Sequence, residues 1–446
     1  MRISRKSGIF VSLGACCLAL FILGFLSLRF TKTEIQKSPT FSKNQLEESL
    51  GELLLHNNWP THFPITDSQS ANGIPNLAQV RYTLNQDSQN HVDNLFKQYK
   101  PDYGAFVAIS ADTGRVLTLS SFQKNANEKN LGNLALRSMF PAASIFKVIT
   151  AAAAIDNSNL NPDSIFAFNG SSHTLYKRNV AQTQYNRWTR YMTMREAFAK
   201  SVNTVFGKMG AHYIGPHGLE EYAKRFGFDR DIESDLPVET GAAFKPEEGN
   251  HFEIAEAASG FNRESKMSPL QGAMIAAGII NDGVIMEPFV VESLWSTELS
   301  KAIYTGEPKT LSVAIQPNSA KQMRELMRET VVRGTSRKSF RQVFRRKDLL
   351  DLLELGGKTG SLTANYPRAK VDWFIGYASY KGEKIAVAAL TAHKEYWTVK
   401  SSYLAASYFD HYYRNTFADI PKENLIKIAR KSKRSIASKK QRSRRK

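Results

Sequence analysis

Cysteine is almost absent: Cys16 and Cys17 are the only two in 446 residues, side by side in the first apolar stretch. Nothing beyond residue 17 therefore forms a disulfide or a thiolate metal site. Histidine offers little more, since the nine are scattered and none pairs obviously with a nucleophile. There is no H-E-x-x-H and no G-x-S-x-G elbow. A P-loop fails as well, because the first glycine required before Gly357-Lys358-Thr359 falls at Leu352. No internal repeat of solenoid period is present. Acids are outnumbered, 41 against 60 Lys/Arg, for a formal charge of +19.

Much of that charge is at one end. Pro421 to Lys446 holds twelve Lys/Arg against the single acid Glu423, with no apolar repeat, and reads as a disordered tail over 418–446. Such a tail suits anionic lipid or an envelope polymer. It lacks the interleaved aromatics of a nucleic-acid binder, so no nucleic acid is expected. At the other end, Gly8 to Leu28 is free of charge and long enough to cross about 30 Å of hydrocarbon as a helix. Arg2, Arg5 and Lys6 precede it, which favours a short cytoplasmic segment 1–7, a signal anchor over 8–28 and an exported body. The competing reading is a cleaved signal peptide, which a run of this length and the lack of a clean A-x-A site disfavour. A polar stalk over 29–75 follows, and the folded body spans 76–417.

Within the body, Gly104–Ser110 and Arg115–Ser121 flank Asp112-Thr113-Gly114 and predict a β-hairpin. Pro141 and Ser144 stand where an alanine-rich buried helix through Ile155 should begin. Tyr191 to Gly210 predicts helix broken near Ser201, and helices are expected over 268–277, 319–332 and 398–413. Three β-like runs come late: 355–363, 371–380 and 383–391. Two strands early and three late, with helices between, imply an α+β (α/β) fold. Its centre is an antiparallel sheet flanked by helices.

Three short strings stand out in order: Ser144-Ile145-Phe146-Lys147, Ser201-Val202-Asn203 and Lys358-Thr359-Gly360. Together they are the S-x-x-K, S-x-N and K-T-G set of serine enzymes whose hydroxyl is activated by lysine. Alone they are weak: Ser121-Phe122-Gln123-Lys124 also fits the first, and Ser42-Lys43-Asn44 and Ser88-Gln89-Asn90 the second. Context separates them. Ser121 ends a strand before a polar loop, whereas Ser144 opens a helix, where a lysine three residues on shares its face. The free N–H groups at a helix start favour an oxyanion. On a strand, Lys358 and Gly360 point to one face, so the lysine faces the site and the glycine leaves room for another chain.

With these strings in place, the chain resembles a penicillin-binding protein transpeptidase domain over roughly 78–417. The resemblance extends to the approach to the nucleophile (MFPAAS), Met267-Ser-Pro-Leu-Gln271, Val332-Arg-Gly-Thr335 and Asp372-Trp-Phe-Ile-Gly-Tyr377. Two departures are Ala143, where the family often has glycine, and Ser361, where threonine is frequent. The resemblance implies an all-helical subdomain beside the sheet, and a monofunctional member working with a separate glycosyltransferase. It implies a peptidoglycan D,D-transpeptidase acting on stem peptides and acylated by β-lactams, with no cofactor and no metal. Ser144 is then the nucleophile and Lys147 its base. Ser201 relays a proton, and Asn203 holds the peptide. Lys358 and Thr359 bind the terminal carboxylate, with Gly360, Ser361 and Thr363 lining the substrate. The N–H groups of Ser144 and Ser361 form the oxyanion hole. A D,D-carboxypeptidase or β-lactamase on the same fold, or a non-enzymatic β-lactam sensor, are the alternatives the sequence leaves open. The implied location is the cytoplasmic membrane, with the catalytic body outside.

Overall fold

The computed structural model describes residues 78–418 apart from 126, 182–184, 297–299, 345–349 and 351. The apolar run over 8–28, the stalk and nearly all of the basic tail lie outside the described residues. No helix among the described residues is long and apolar enough to cross a membrane.

Five strands make the main sheet: β1 (Tyr103–Ser110), β2 (Val116–Gln123), β3 (Glu354–Ala364), β4 (Ala369–Tyr380) and β5 (Glu383–His393). Their order is β3-β4-β5-β1-β2, and every neighbouring pair is antiparallel. The two early and three late runs thus meet in one sheet. The β1–β2 hairpin turns at Gly114, whose φ of 81° lies in the left-handed region glycine adopts freely.

Both faces of this sheet are covered, so its central strands lack apolar–polar alternation. On one face lie α1 (Gln86–Tyr99) and α8 (Ser401–Ala418), closing a core that includes Phe96, Phe106, Phe374, Tyr408 and Phe409. On the other lies α6 (Pro269–Ile280), with all twelve residues buried. Apart from Gln271 its circumference is apolar, which suits a helix sealed between layers. Ser268 caps it by accepting a hydrogen bond from the Gln271 N–H.

The helical side contains α2 (Lys147–Asn157), α3 (Met194–Lys200), α4 (Asn203–Met209), α5 (His251–Ser259) and α7 (Pro317–Val332). It is not all-helical as the resemblance implied: Ile165–Phe168 and Arg190–Thr193 pair into an antiparallel ribbon. A separate three-stranded sheet of Ala78–Tyr82, Val291–Ser296 and Lys301–Thr305 was likewise unexpected. Its strands are short and only partly buried, which leaves a weak period-two pattern in sequence.

Candidate active site

The nucleophile segment enters from a short strand, Phe140–Pro141, paired with Lys266–Met267. Ala143 then turns the chain through φ 50°, in the left-handed region that glycine adopts more freely than alanine. Ser144 lies in a 3-10 turn, Ala143–Phe146, and α2 begins only at Lys147. The helix therefore opens three residues later than expected. The tight turn still places Ser144 Oγ 2.7 Å from Lys147 Nζ.

Two close approaches fix that turn. Gly260 ends α5 with φ 64°, and a Cβ there would lie 1.9 Å from the Ala143 carbonyl oxygen. A Cβ on Gly360 would lie 3.1 Å from the Ile145 nitrogen and 3.2 Å from the Ala142 oxygen. Gly360 thus leaves room for another chain as expected, but the chain is the nucleophile segment itself. Trp373 completes the clamp by donating from Nε1 to the Pro141 carbonyl at 2.9 Å.

The second motif follows from α3. A capping box, Thr193 with Glu196, starts this helix, and Ser201 ends it in the left-handed region at φ 56°. The chain restarts as α4 at Asn203, whose N–H donates to the Ser172 carbonyl and whose Nδ2 donates to His173 O at 2.9 Å. With Nδ2 so engaged, Oδ1 faces Lys147 Nζ at 2.8 Å. Lys147 has one further partner, the Ser259 carbonyl, at 2.6 Å.

Those partners suit a neutral amine. Asn203 Oδ1 and Ser259 O only accept, so they take two N–H bonds. The third position faces Ser144, and in a neutral amine it is a lone pair ready to accept the serine proton. Lys147 is fully buried, and burial with the nearby Lys358 charge lowers its pKa well below the usual lysine value.

Lys358 on β3 is also fully buried, and its pKa is lowered by burial to about 7. It donates to Ser201 Oγ at 2.9 Å and to its neighbour's carbonyl, Thr359 O, at 2.7 Å. The two lysines lie against the Phe206 and Phe198 rings, Nζ to centroid 6.0 and 5.6 Å. These rings form an apolar back wall that withholds water from both amines.

The cleft in front measures about 410 Å³ and is lined by Ser144, Ser201, Asn203, Thr359, Gly360 and Ser361, among others. A smaller cavity of about 190 Å³, lined in part by Phe146, contains none of the expected site residues. Of the residues expected from sequence, Lys147, Lys358 and Thr363 are not among those lining the cleft. Lys358 is fully buried and meets the cleft through its bond to Ser201 Oγ. Thr363 lies outside the cleft lining, and its carbonyl accepts from Arg263 Nε at 2.9 Å. The decoy Ser121 lies in β2, where its oxygen accepts from the Leu134 N–H.

Two contributors went unassigned from sequence. Ser259 acts through its main chain, which carries no residue signature. Thr335 was noticed only as part of a string; its Oγ1 lies 2.6 Å from Thr359 Oγ1, at the cleft.

A sequence model of the penicillin binding protein transpeptidase domain matches residues 104–413, well over half the chain. The chain belongs to that family. Among penicillin-binding relatives it is 27% identical over 406 residues to the peptidoglycan D,D-transpeptidase PbpA of Mycolicibacterium smegmatis, covering 83% of this chain and 76% of the relative. It is 26% identical over 289 residues to stage V sporulation protein D of Bacillus subtilis, covering 61% of this chain and 42% of the other. The fold is shared with the D,D-transpeptidase domain of a peptidoglycan glycosyltransferase from Eggerthella lenta (TM-score 0.62, 24% identity, 76% of this chain and 84% of that one). It is also shared with penicillin-binding protein A from Mycobacterium tuberculosis in its imipenem acyl-enzyme complex (TM-score 0.60, 23% identity, 75% and 79%).

Proposed function

We propose that this penicillin-binding protein is a serine D,D-transpeptidase that cross-links peptidoglycan stem peptides through an acyl-enzyme on Ser144. The observation that carries the reading is the bonding of Lys147: two carbonyl acceptors hold the amine so that its remaining position meets the serine hydroxyl. Ser144 attacks the penultimate D-alanine carbonyl while its proton passes to Lys147. The leaving amine needs a proton. Ser201 fits that task, since its oxygen accepts from Lys358 and its own proton has no acceptor among the described residues. The released terminal D-alanine is replaced by the amine of a second stem peptide, which attacks the ester carbonyl and forms the new amide. A β-lactam follows the first step and stalls at the ester.

Strand β3 is the last in its sheet, so an extended peptide can add along its free edge, in reach of Ser144. Among the described residues the only acid lining the cleft is Asp372, which is engaged by the Ser401 N–H and Lys400. A carboxylate free to activate a deacylating water is therefore lacking among the described lining residues. This favours aminolysis over the β-lactamase outcome.

The N-terminal apolar run supports a single-pass anchor in the cytoplasmic membrane, with the catalytic body outside it. A glycosyltransferase partner and contact of the basic tail with anionic lipid or envelope polymer belong to the same proposal. Ser144→Ala is expected to abolish covalent labelling by a fluorescent penicillin, while Ser121→Ala labels normally. Labelling that survives in the Ser144 variant rejects the site.

A further inference from the structure

A terminal carboxylate brings a full negative charge into the cleft, and paired hydroxyls alone leave it without a counter-charge. The sequence reading assigned that role to Lys358. In the structure Lys358 is fully buried and directs its bonds to Ser201 Oγ and Thr359 O. Lys147 is sealed in the same way, held by Asn203 and Ser259. Lys400 lines the cleft, but its ammonium is 3.6 Å from the Asp372 carboxylate and 3.7 Å above the centroid of Trp397.

Lys338 differs from all three. It lines the cleft, is exposed, and has neither an ion pair nor a hydrogen-bond partner among the described residues. It also follows Thr335 by three positions, in the first turn of the helix Arg337–Val343. Thr335 is the residue whose hydroxyl meets that of Thr359.

Building on the transpeptidase reading, we propose that Lys338 is the counter-ion of the substrate's terminal carboxylate. The Thr335 and Thr359 hydroxyls supply the hydrogen bonds. The labour is thereby divided: the buried amines serve the proton transfers, and the exposed ammonium selects charge. An exposed ammonium tolerates this role because an arriving anion displaces only water from it, with no ion pair to break.

The test compares the full chain with Lys338→Gln and Lys338→Arg on three probes: benzylpenicillin and two matched peptides, one ending in D-alanyl-D-alanine and one in D-alanyl-D-alaninamide. Lys338→Gln is expected to lower the benzylpenicillin acylation rate about tenfold, the scale of one charge-assisted hydrogen bond. It should lower turnover of the acid-ended peptide similarly and leave the amide-ended one unchanged. Lys338→Arg should restore most of the loss, and added salt should slow the wild type more than Lys338→Gln. Equal losses on both peptides, or an unchanged benzylpenicillin rate, overturn the assignment. A wild-type chain that forms no penicillin adduct defeats the transpeptidase reading itself.

Discussion

Replacing Asn203 with aspartate changes little in shape but places a carboxylate where an amide oxygen now lies 2.8 Å from Lys147 Nζ. At an effective dielectric of about 20 the added attraction is about 6 kcal/mol. At about 1.4 kcal/mol per tenfold, that raises the ratio of protonated to neutral amine by roughly four powers of ten. Burying the new carboxylate costs back several kcal/mol of this. The aspartate also loses the donor that now meets His173 O. The net expectation is a fall of about 100- to 1,000-fold in benzylpenicillin acylation near neutral pH. Part of the rate should return as pH rises and the amine gives up its proton. Asn203→Ala is the control: it removes a hydrogen bond without adding charge, so its rate falls without an alkaline displacement of the pH profile. Adduct formation followed by mass spectrometry across neutral and alkaline pH reads both variants. An aspartate variant that acylates within tenfold of the wild type at neutral pH, with its rising limb unmoved, refutes the neutral-amine account.

Two further outcomes follow from the same network. Wild-type acylation should rise with pH as Lys147 deprotonates, then decline above about 7 as Lys358 loses the charge that backs Ser201, giving a bell whose limbs belong to the coupled pair. Both lysines bind fewer protons folded than unfolded between the folded values and 10.5, so their contribution to stability is lost as pH falls through that window. Denaturant titrations should show Lys358→Met weakening this rise of stability with pH. Trp373→Phe strips the buried Pro141 carbonyl of its indole donor; a loss of about 1–3 kcal/mol is expected by urea denaturation, together with slower acylation.

What the sequence revealed and what it concealed divide along a physical line. Side-chain chemistry was legible: Ser144 with Lys147, Ser201 with Asn203, and Lys358 in order gave the participants, and helix context set Ser144 apart from Ser121. The main sheet was legible too, because long apolar runs survive any register. Burial was not. Lys358 reads as a substrate-facing cation, yet only tertiary packing shows that Phe198, Ser201 and the β3 backbone enclose it. The Ser259 carbonyl was invisible because every residue has one. Gly360 was correctly seen as making room, although nothing in sequence says that the nucleophile segment occupies that room. The Ile165–Phe168 ribbon escaped notice because four-residue strands fix too few positions to show a period.

The clamp on Ala142–Ile145 has a consequence for biosynthesis. More than two hundred residues separate Ser144 from the strand that presses Gly360 against its turn. A ribosome thus delivers the nucleophile long before the carboxy-terminal half that arms it. The nascent serine stays chemically quiet until the last strands dock, and penicillin capture becomes a report that the polypeptide has finished folding.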